Sequence, residues 1–292
     1  MKLYRRSIML RVLILFFMGM FMFSNLYASQ STIVESEGYA CMGEDKSKKQ
    51  TEQTALADAK KKAIEQVSVY IKSETHVKNF EFEKDLTSAY SNATVKVIQE
   101  IGKGWYKDSS AGDCYKVKIK AEVIPDEKAI EKISKGSQVA DDPSAPLSVN
   151  VWTDKKEYKS GEKIKVYIKG NKPFYAKVVY KDAGGSLIQL LPNPYRQENY
   201  FNGGVVYEVP SGNDKFELEV SPPFGTEDIV VYSSTTQLGA LNVEAQGGVF
   251  EIKTRPNDIG IQSRGVKIVG SPEKKSAASE FFEEKVVVKT GR

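Results

Sequence analysis

Of the side chains that carry most acid–base, nucleophilic and metal-binding chemistry, this chain holds one histidine, His76, and two cysteines, Cys41 and Cys114. One histidine and two cysteines exclude a multi-His or Cys-rich zinc site. His76 follows the end of a helical pattern in a polar stretch, where a surface or capping role is expected rather than catalysis. Neither a phosphate-binding GxxxxGK[ST] loop nor a GxSxG nucleophile elbow occurs. The nearest approach to a dinucleotide fingerprint, Ile101-Gly102-Lys103-Gly104-Trp105, lacks the third glycine and is read as a turn. Acidic residues number 38, and nothing in their spacing selects the pair that a carboxylate-dependent hydrolase would need. The expectation is a protein that is not an enzyme and uses no cofactor and no metal.

The stretch best suited to recognition is the loop over residues 192–204, which contains Asn193, Tyr195, Arg196, Asn199 and Tyr200. Tyrosine and arginine in loops favour binding, because they offer large contact areas and directed hydrogen bonds. These five residues are the candidate binding set, and a glycan is one ligand they fit. The competing expectation is structural: Pro192 and Asn193 shape a turn, while Tyr200 and Phe201 cover an edge of the fold.

The N-terminus sets the compartment. Lys2, Arg5, Arg6 and Arg11 precede an apolar run over residues 12–23, and the small, polar Ser24-Asn25-Leu26-Tyr27-Ala28-Ser29 follows. That is the three-part pattern of a secretory signal peptide over residues 1–28, with cleavage between Ala28 and Ser29. The apolar run is too short for a lasting anchor, which needs roughly 20 residues. A lipoprotein would need a cysteine at the new N-terminus, and none stands there. The protein is therefore expected in the periplasm, touching membrane only through its partners or an uncleaved leader. Removing the leader takes four of the 42 basic residues and no acidic ones, leaving 38 of each sign. A neutral mature chain gives no support to a nucleic-acid partner, which requires clustered positive charge.

The elements that must position these side chains fall into two sets. A small, polar, Pro-containing stretch at 136–146 reads as an exposed linker between a domain at 29–135 and another at 147–292. In the first, residues 33–41 form a strand. Residues 49–73 carry Leu56, Ala59, Ala63, Val67, Tyr70 and Ile71 on one helical stripe. Further β-like runs lie at 76–83, 93–106 and 114–124, where Tyr115, Val117, Ile119, Ala121 and Val123 alternate with charged residues. A short helix at 126–135 closes the unit, an α+β domain with a helix packed on an antiparallel sheet. In the second, short runs at 147–152, 163–169, 174–181, 187–191, 205–209, 215–220, 228–233, 249–253, 266–269 and 285–289 predict an all-β, immunoglobulin-like sandwich.

The two cysteines gain a meaning from this layout. An exported chain meets an oxidising compartment, and Cys41 ends the first predicted strand where Cys114 begins the last. If these strands are antiparallel neighbours, the two side chains come within bonding reach. A Cys41–Cys114 disulfide is expected.

Two resemblances follow from longer phrases. Glu37-Gly38-Tyr39-Ala40, the helix phrase Ala55-Leu56-Ala57-Asp58-Ala59-Lys60-Lys61-Lys62-Ala63, and the strand from Asp113 through Val123 resemble the domain shared by the flagellar assembly protein T N-terminal region and the twenty-kilodalton outer-membrane lipoproteins. That resemblance, over 33–124, implies an α+β interaction domain. The second half resembles the domain of unknown function 4384 family. It does so through Val151-Trp152-Thr153-Asp154, Glu157-Tyr158-Lys159-Ser160-Gly161-Glu162-Lys163-Ile164, Leu190-Leu191-Pro192-Asn193, Tyr207-Glu208-Val209-Pro210, Pro223-Phe224-Gly225-Thr226-Glu227 and Arg264-Gly265-Val266. This second resemblance implies a sandwich module attached to varied partners, without catalytic residues. The functional expectation is a structural or adaptor component of a periplasmic or outer-membrane assembly, with envelope proteins as partners. A glycan or peptidoglycan module and a carboxylate-dependent hydrolase are the alternatives.

Overall fold

The computed structural model describes residues 29–74, 80–134, 141–246, 248–265 and 278–292. The expected leader with Ala28, His76, residues 136–140 of the expected linker and the run at 266–269 lie outside the described residues.

The first strand, β1 (Ser29–Cys41), is followed by the long helix α1 (Lys48–Glu74). A reciprocal cap starts that helix: the Ser47 hydroxyl accepts from the Gln50 amide at 3.3 Å, and the Gln50 side chain accepts from the Ser47 amide at 2.8 Å. Its buried stripe is Thr51, Ala55, Ala59, Ala63, Val67 and Ile71. Small side chains there let the helix settle directly on β1. Gly38 lies so close that an added Cβ would stand 2.2 Å from the Ala55 carbonyl oxygen, and the Ser36 hydroxyl donates to the Ala59 carbonyl at 2.9 Å.

Next comes α2 (Phe80–Ser91), where the sequence reading placed a strand over 76–83. The alternation Phe80-Glu81-Phe82-Glu83 mimics a strand period, but Leu86, Ala89 and Tyr90 recur at helical spacing and all three are buried. The long β-hairpin β2 (Thr94–Asp108) and β3 (Gly112–Ile124) then leads to α3 (Glu127–Ser134). Asp126 caps α3 by accepting from the Ala129 amide at 2.9 Å.

The remaining strands are β4 (Val149–Thr153), β5 (Glu157–Lys159), β6 (Val166–Gly170), β7 (Phe174–Lys181), β8 (Leu187–Leu191), β9 (Tyr200–Phe201), β10 (Tyr207–Val209), β11 (Thr226–Ser234), β12 (Val243–Gln246), β13 (Val249–Ile252) and β14 (Ser279–Gly291). One short helix, α4 (Pro256–Ser263), interrupts this β-rich half. The run at 215–220 is not a strand; a single bridge, Lys163 to Glu219, is its ladder contact.

Among the described residues, the strands form two sheets. The smaller has the order β10-β6-β4. The larger has eleven strands and runs β12-β13-β8-β7-β11-β14-β1-β3-β2, with β5 and β9 attached to β14 and β7. The larger sheet therefore passes through both halves of the chain without a break. The strand that joins them is β14: Ser29 pairs with Glu283 and Ile33 with Ser279 on one side, and Thr226 pairs with Lys289 and Ser234 with Phe281 on the other.

Three apolar cores follow. One lies between the two sheets, around Val166, Ile168, Phe174, Val178, Phe201, Phe282 and Val288. A second lies under α1 and α2, around Ala59, Leu86, Tyr90, Val117 and Ile119. The third covers the opposite face of the large sheet and joins Ile33 to Phe281, Tyr232 and Ile259 of α4. The described part of the expected linker is pinned, not loose. The Asn171 amide donates to the carbonyls of Asp142, Ala145 and Pro146 at 2.9, 3.2 and 3.1 Å, and Ala145 is buried. Composition reads these small, polar residues as exposed; Asp141 and Pro143 are, while the three donated bonds give the carbonyls of Asp142, Ala145 and Pro146 partners inside the fold.

Candidate functional site

On the part of the sheet made by β1, β3 and β2, side chains alternate between the face under α1 and the opposite, outer face. The outer rows follow from register. Cys41 pairs with Cys114 and Cys114 with Tyr106; Tyr39 pairs with Lys116 and Lys116 with Gly104; Glu37 pairs with Lys118 and Lys118 with Gly102. The first row is closed by the Cys41–Cys114 disulfide. Directly opposed positions of antiparallel neighbours are where such a bond can form.

These rows create an open groove of about 660 Å³. Its floor is Gly102 and Gly104, its aromatic walls are Tyr39 and Tyr106, and Glu37, Lys116 and Lys118 line it between them. The lysines are tied at 2.8 Å to carboxylates of the neighbouring strand, Lys116 to Glu37 and Lys118 to Glu35. Tyr39, 57 % exposed, is held from the helix side: its amide donates to Asp58 at 3.1 Å, and the Lys62 ammonium sits 4.5 Å from its ring centre. Burial pushes the Asp58 carboxyl up, yet hydrogen bonds from Lys62 and the Tyr39 amide outweigh it, so the group lies below the ordinary carboxylate value. One row further along, burial lowers Lys120.

The glycines of this groove stand in a strand and not in the turn that the sequence suggested. Neither has a positive φ, and a Cβ added at either would meet nothing within 4 Å. Packing and φ thus give no reason for glycine there, although a register shift between Glu100 and Gly102 adjoins the first of the two. Glycine inside a strand marks a bulge or a place where another group approaches the backbone, and Gly104, in the regular part of the ladder, fits the second.

The five candidate residues of the 192–204 loop divide into two kinds. Asn193 is 5 % exposed and builds the loop: its side-chain oxygen accepts from the Tyr195 and Arg196 amides at 2.8 Å, and its amide donates to the Leu190 carbonyl at 2.8 Å. Arg196 donates to Asp214 at 2.9 Å with its guanidinium over Phe201. Asn199 donates to the Ala176 carbonyl at 3.1 Å. Tyr195 and Tyr200 remain open, stacked on Phe216 and tilted against Tyr175. Three of the five are thus engaged in holding the loop, and two present rings to solvent.

Residues 157–237 match the family model described as Domain of unknown function (DUF4384). No curated protein and no solved structure matches the chain. The DUF4384 segment runs from β5 past the end of β11 and contains the loop with Tyr195 and Tyr200. It is narrower than the resemblance read from sequence: four of the six phrases lie inside it, while Val151 to Asp154 and Arg264 to Val266 lie outside. The groove residues also stand outside the DUF4384 segment. The sequence signal for the groove was present but unread: charged residues alternate along both Glu35-Ser36-Glu37 and Lys116-Val117-Lys118, and two glycines stand two apart in a β-like run. Among the described residues, no three His, Cys, Asp or Glu side chains group in a way that could hold a metal ion.

Proposed function

We propose that this protein is an exported, non-catalytic component of the bacterial envelope, a structural or adaptor part of a periplasmic or outer-membrane assembly. Its contact with a partner protein is made on the outer face of β1, β3 and β2. The observation that carries the reading is the groove itself. Two exposed tyrosines stand over a glycine floor at the free end of a large sheet, where a partner can approach the backbone closely. The disulfide is in keeping with an oxidising compartment. The leader pattern is in keeping with export, and cleavage before Ser29 would leave β1 whole.

In this reading the helix-bearing half, residues 29–135, is the unit that resembles the flagellar assembly and outer-membrane lipoprotein domain. Residues 147–292 are its immunoglobulin-like partner module. A photo-crosslinking residue at Tyr39, introduced in the producing cell, tests the reading. The expected result is a discrete protein adduct that disappears when Lys116 and Lys118 are both replaced by Glu. Absence of any protein adduct would contradict it.

A second reading, a glycan or peptidoglycan module, is favoured by the exposed rings of Tyr195 and Tyr200. It predicts sedimentation with purified sacculi, abolished in a Tyr195→Ala, Tyr200→Ala double variant.

A further inference from the structure

We infer that residues 102–106 of β2 form a self-complementary edge that pairs, antiparallel, with the same residues of a second copy of this chain. The inference rests on the reading of this face as a protein contact and names one occupant of it. Among the described residues, β2 is the last strand of the large sheet and is bonded to a strand, β3, on one side only. Register shifts between Val97 and Gln99 and between Glu100 and Gly102 break its first half, whereas its pairing from Gly102 to Asp108 is regular. A regular strand edge offers backbone donors and acceptors in a row, ready to pair with another chain.

Residues 102–106, Gly-Lys-Gly-Trp-Tyr, set the small side of one copy against the large side of another when paired antiparallel. With a two-fold axis at Gly104, Gly102 of one copy stands opposite Tyr106 of the other, and Lys103 opposite Trp105. On the groove face, the half-exposed Tyr106 ring would cover the space left open above Gly102, where a Cβ meets nothing. An aromatic ring laid across a strand glycine is a stabilising cross-strand pair. On the other face Lys103, bonded to Glu100 at 2.7 Å within its own strand, would stand opposite Trp105, whose ring is 36 % exposed and already lies beside Lys48 and Glu52. The same register would bring Glu100 against Asp108, so like charges confine the pairing to residues 101–107. This also explains the two glycines: a side chain at 104 would stand on the axis against its own copy.

So short an edge predicts a weak dimer, with a dissociation constant on the order of 10 µM. Sedimentation velocity of the purified full-length mature protein, from about 1 to about 200 µM, reads it directly as a concentration-dependent shift from monomer to dimer. Gly104→Glu sets two carboxylates face to face on the axis and is expected to weaken the dimer at least about tenfold. It should leave the thermal melt of the monomer unchanged, because its side chain enters open space. Gly104→Cys is expected to give a disulfide-linked dimer on mild oxidation, while Lys96→Cys, in the broken half of the strand, does not. A protein that stays monomeric over the whole range, or a dimer indifferent to Gly104→Glu, overturns the inference. A monomer that still forms the Tyr39 adduct overturns the dimer and leaves the adaptor reading standing, and a dimer without a Tyr39 adduct to another protein does the reverse.

Discussion

Glu284 lies on the inner face of β14, partly buried, with its carboxyl toward the amide of Val151. Burial pushes its pKa up from the model-peptide 4.5 to about 7, against the smaller pull of that amide. An acid whose pKa is raised by folding binds its proton more tightly in the native state than in the unfolded chain. Stability contributed by the protonated group is therefore full below the unfolded value and is lost as the pH rises from about 4.5 to about 7. The upper limit of that loss is roughly 3 kcal/mol. Urea denaturation of the wild type and of Glu284→Gln between pH 5 and pH 8 should show a steeper fall for the wild type; parallel curves would refute this account of Glu284. The two other residues of consequence at this scale are Cys41 and Cys114, 73 positions apart. Closing a loop of that length restricts the unfolded chain enough to stabilise the fold by about 4 kcal/mol on the chain-entropy model.

At the scale of elements, two kinds of glycine make opposite predictions. Gly38 is the point at which α1 meets β1, and a Cβ there would fall 2.2 Å from Ala55 O, 2.3 Å from Ala59 N and 2.8 Å from Ala59 Cα. All three are backbone atoms of a helix, which cannot turn aside as a side chain can. Gly38→Ala is expected to destabilise by about 1–3 kcal/mol or more, by lifting the helix off the strand. Gly102→Ala, in the open groove of an extended strand, is expected to be neutral or to stabilise by about 0.5–1 kcal/mol. Chemical denaturation of the two variants beside the wild type measures both, and a Gly38→Ala protein as stable as the wild type would contradict the close helix–strand contact.

Much of this level was legible in the sequence. The alternation of Tyr115 to Val123 and the alanine spacing of α1 each follow from one local rule. The elements that escaped have local signals that point elsewhere or are too short to register. The Phe-Glu alternation at 80–83 hid α2, and β5 and β9 are held by partners distant in sequence. In the recognition loop, aromatic and amide residues were visible, but composition does not show that Asn193 and Asn199 spend their amides on the Leu190 and Ala176 carbonyls.

For the molecule as a whole, the decisive feature is β14, whose two faces are tied to both halves of the chain. On one face Glu280 is 1 % exposed and accepts from Tyr70 of α1 and from Lys172, both at 3.1 Å, and from the Leu147 amide. On the other, the Arg264 guanidinium stacks on Phe281 at 4.3 Å and pairs with Glu122 of β3 and Glu283 of β14. Charges buried in this way are costly unless partnered; the Tyr70–Glu280 bond and the Arg264–Glu122 pair cross the division at 136–146, while Lys172–Glu280 and Arg264–Glu283 lie within the second half. A change of composition in that stretch suggested two bodies, because sequence shows where a chain runs polar and not where its last strand returns. β14 inserts between β1 and β11 through long-range pairing, which leaves no local trace.

Because β14 pairs with strands of both halves, the two are expected to unfold as one cooperative unit, and the chain's two tryptophans report on the two halves separately. Trp105 lies on β2 and Trp152 on β4. Equilibrium urea unfolding followed by fluorescence of Trp152→Phe and of Trp105→Phe, each beside its own far-ultraviolet circular dichroism, tests the claim directly. If the halves unfold together, each variant's fluorescence and dichroism transitions coincide in a single step. A dichroism curve with two steps, one followed by Trp105 and the other by Trp152, would contradict it.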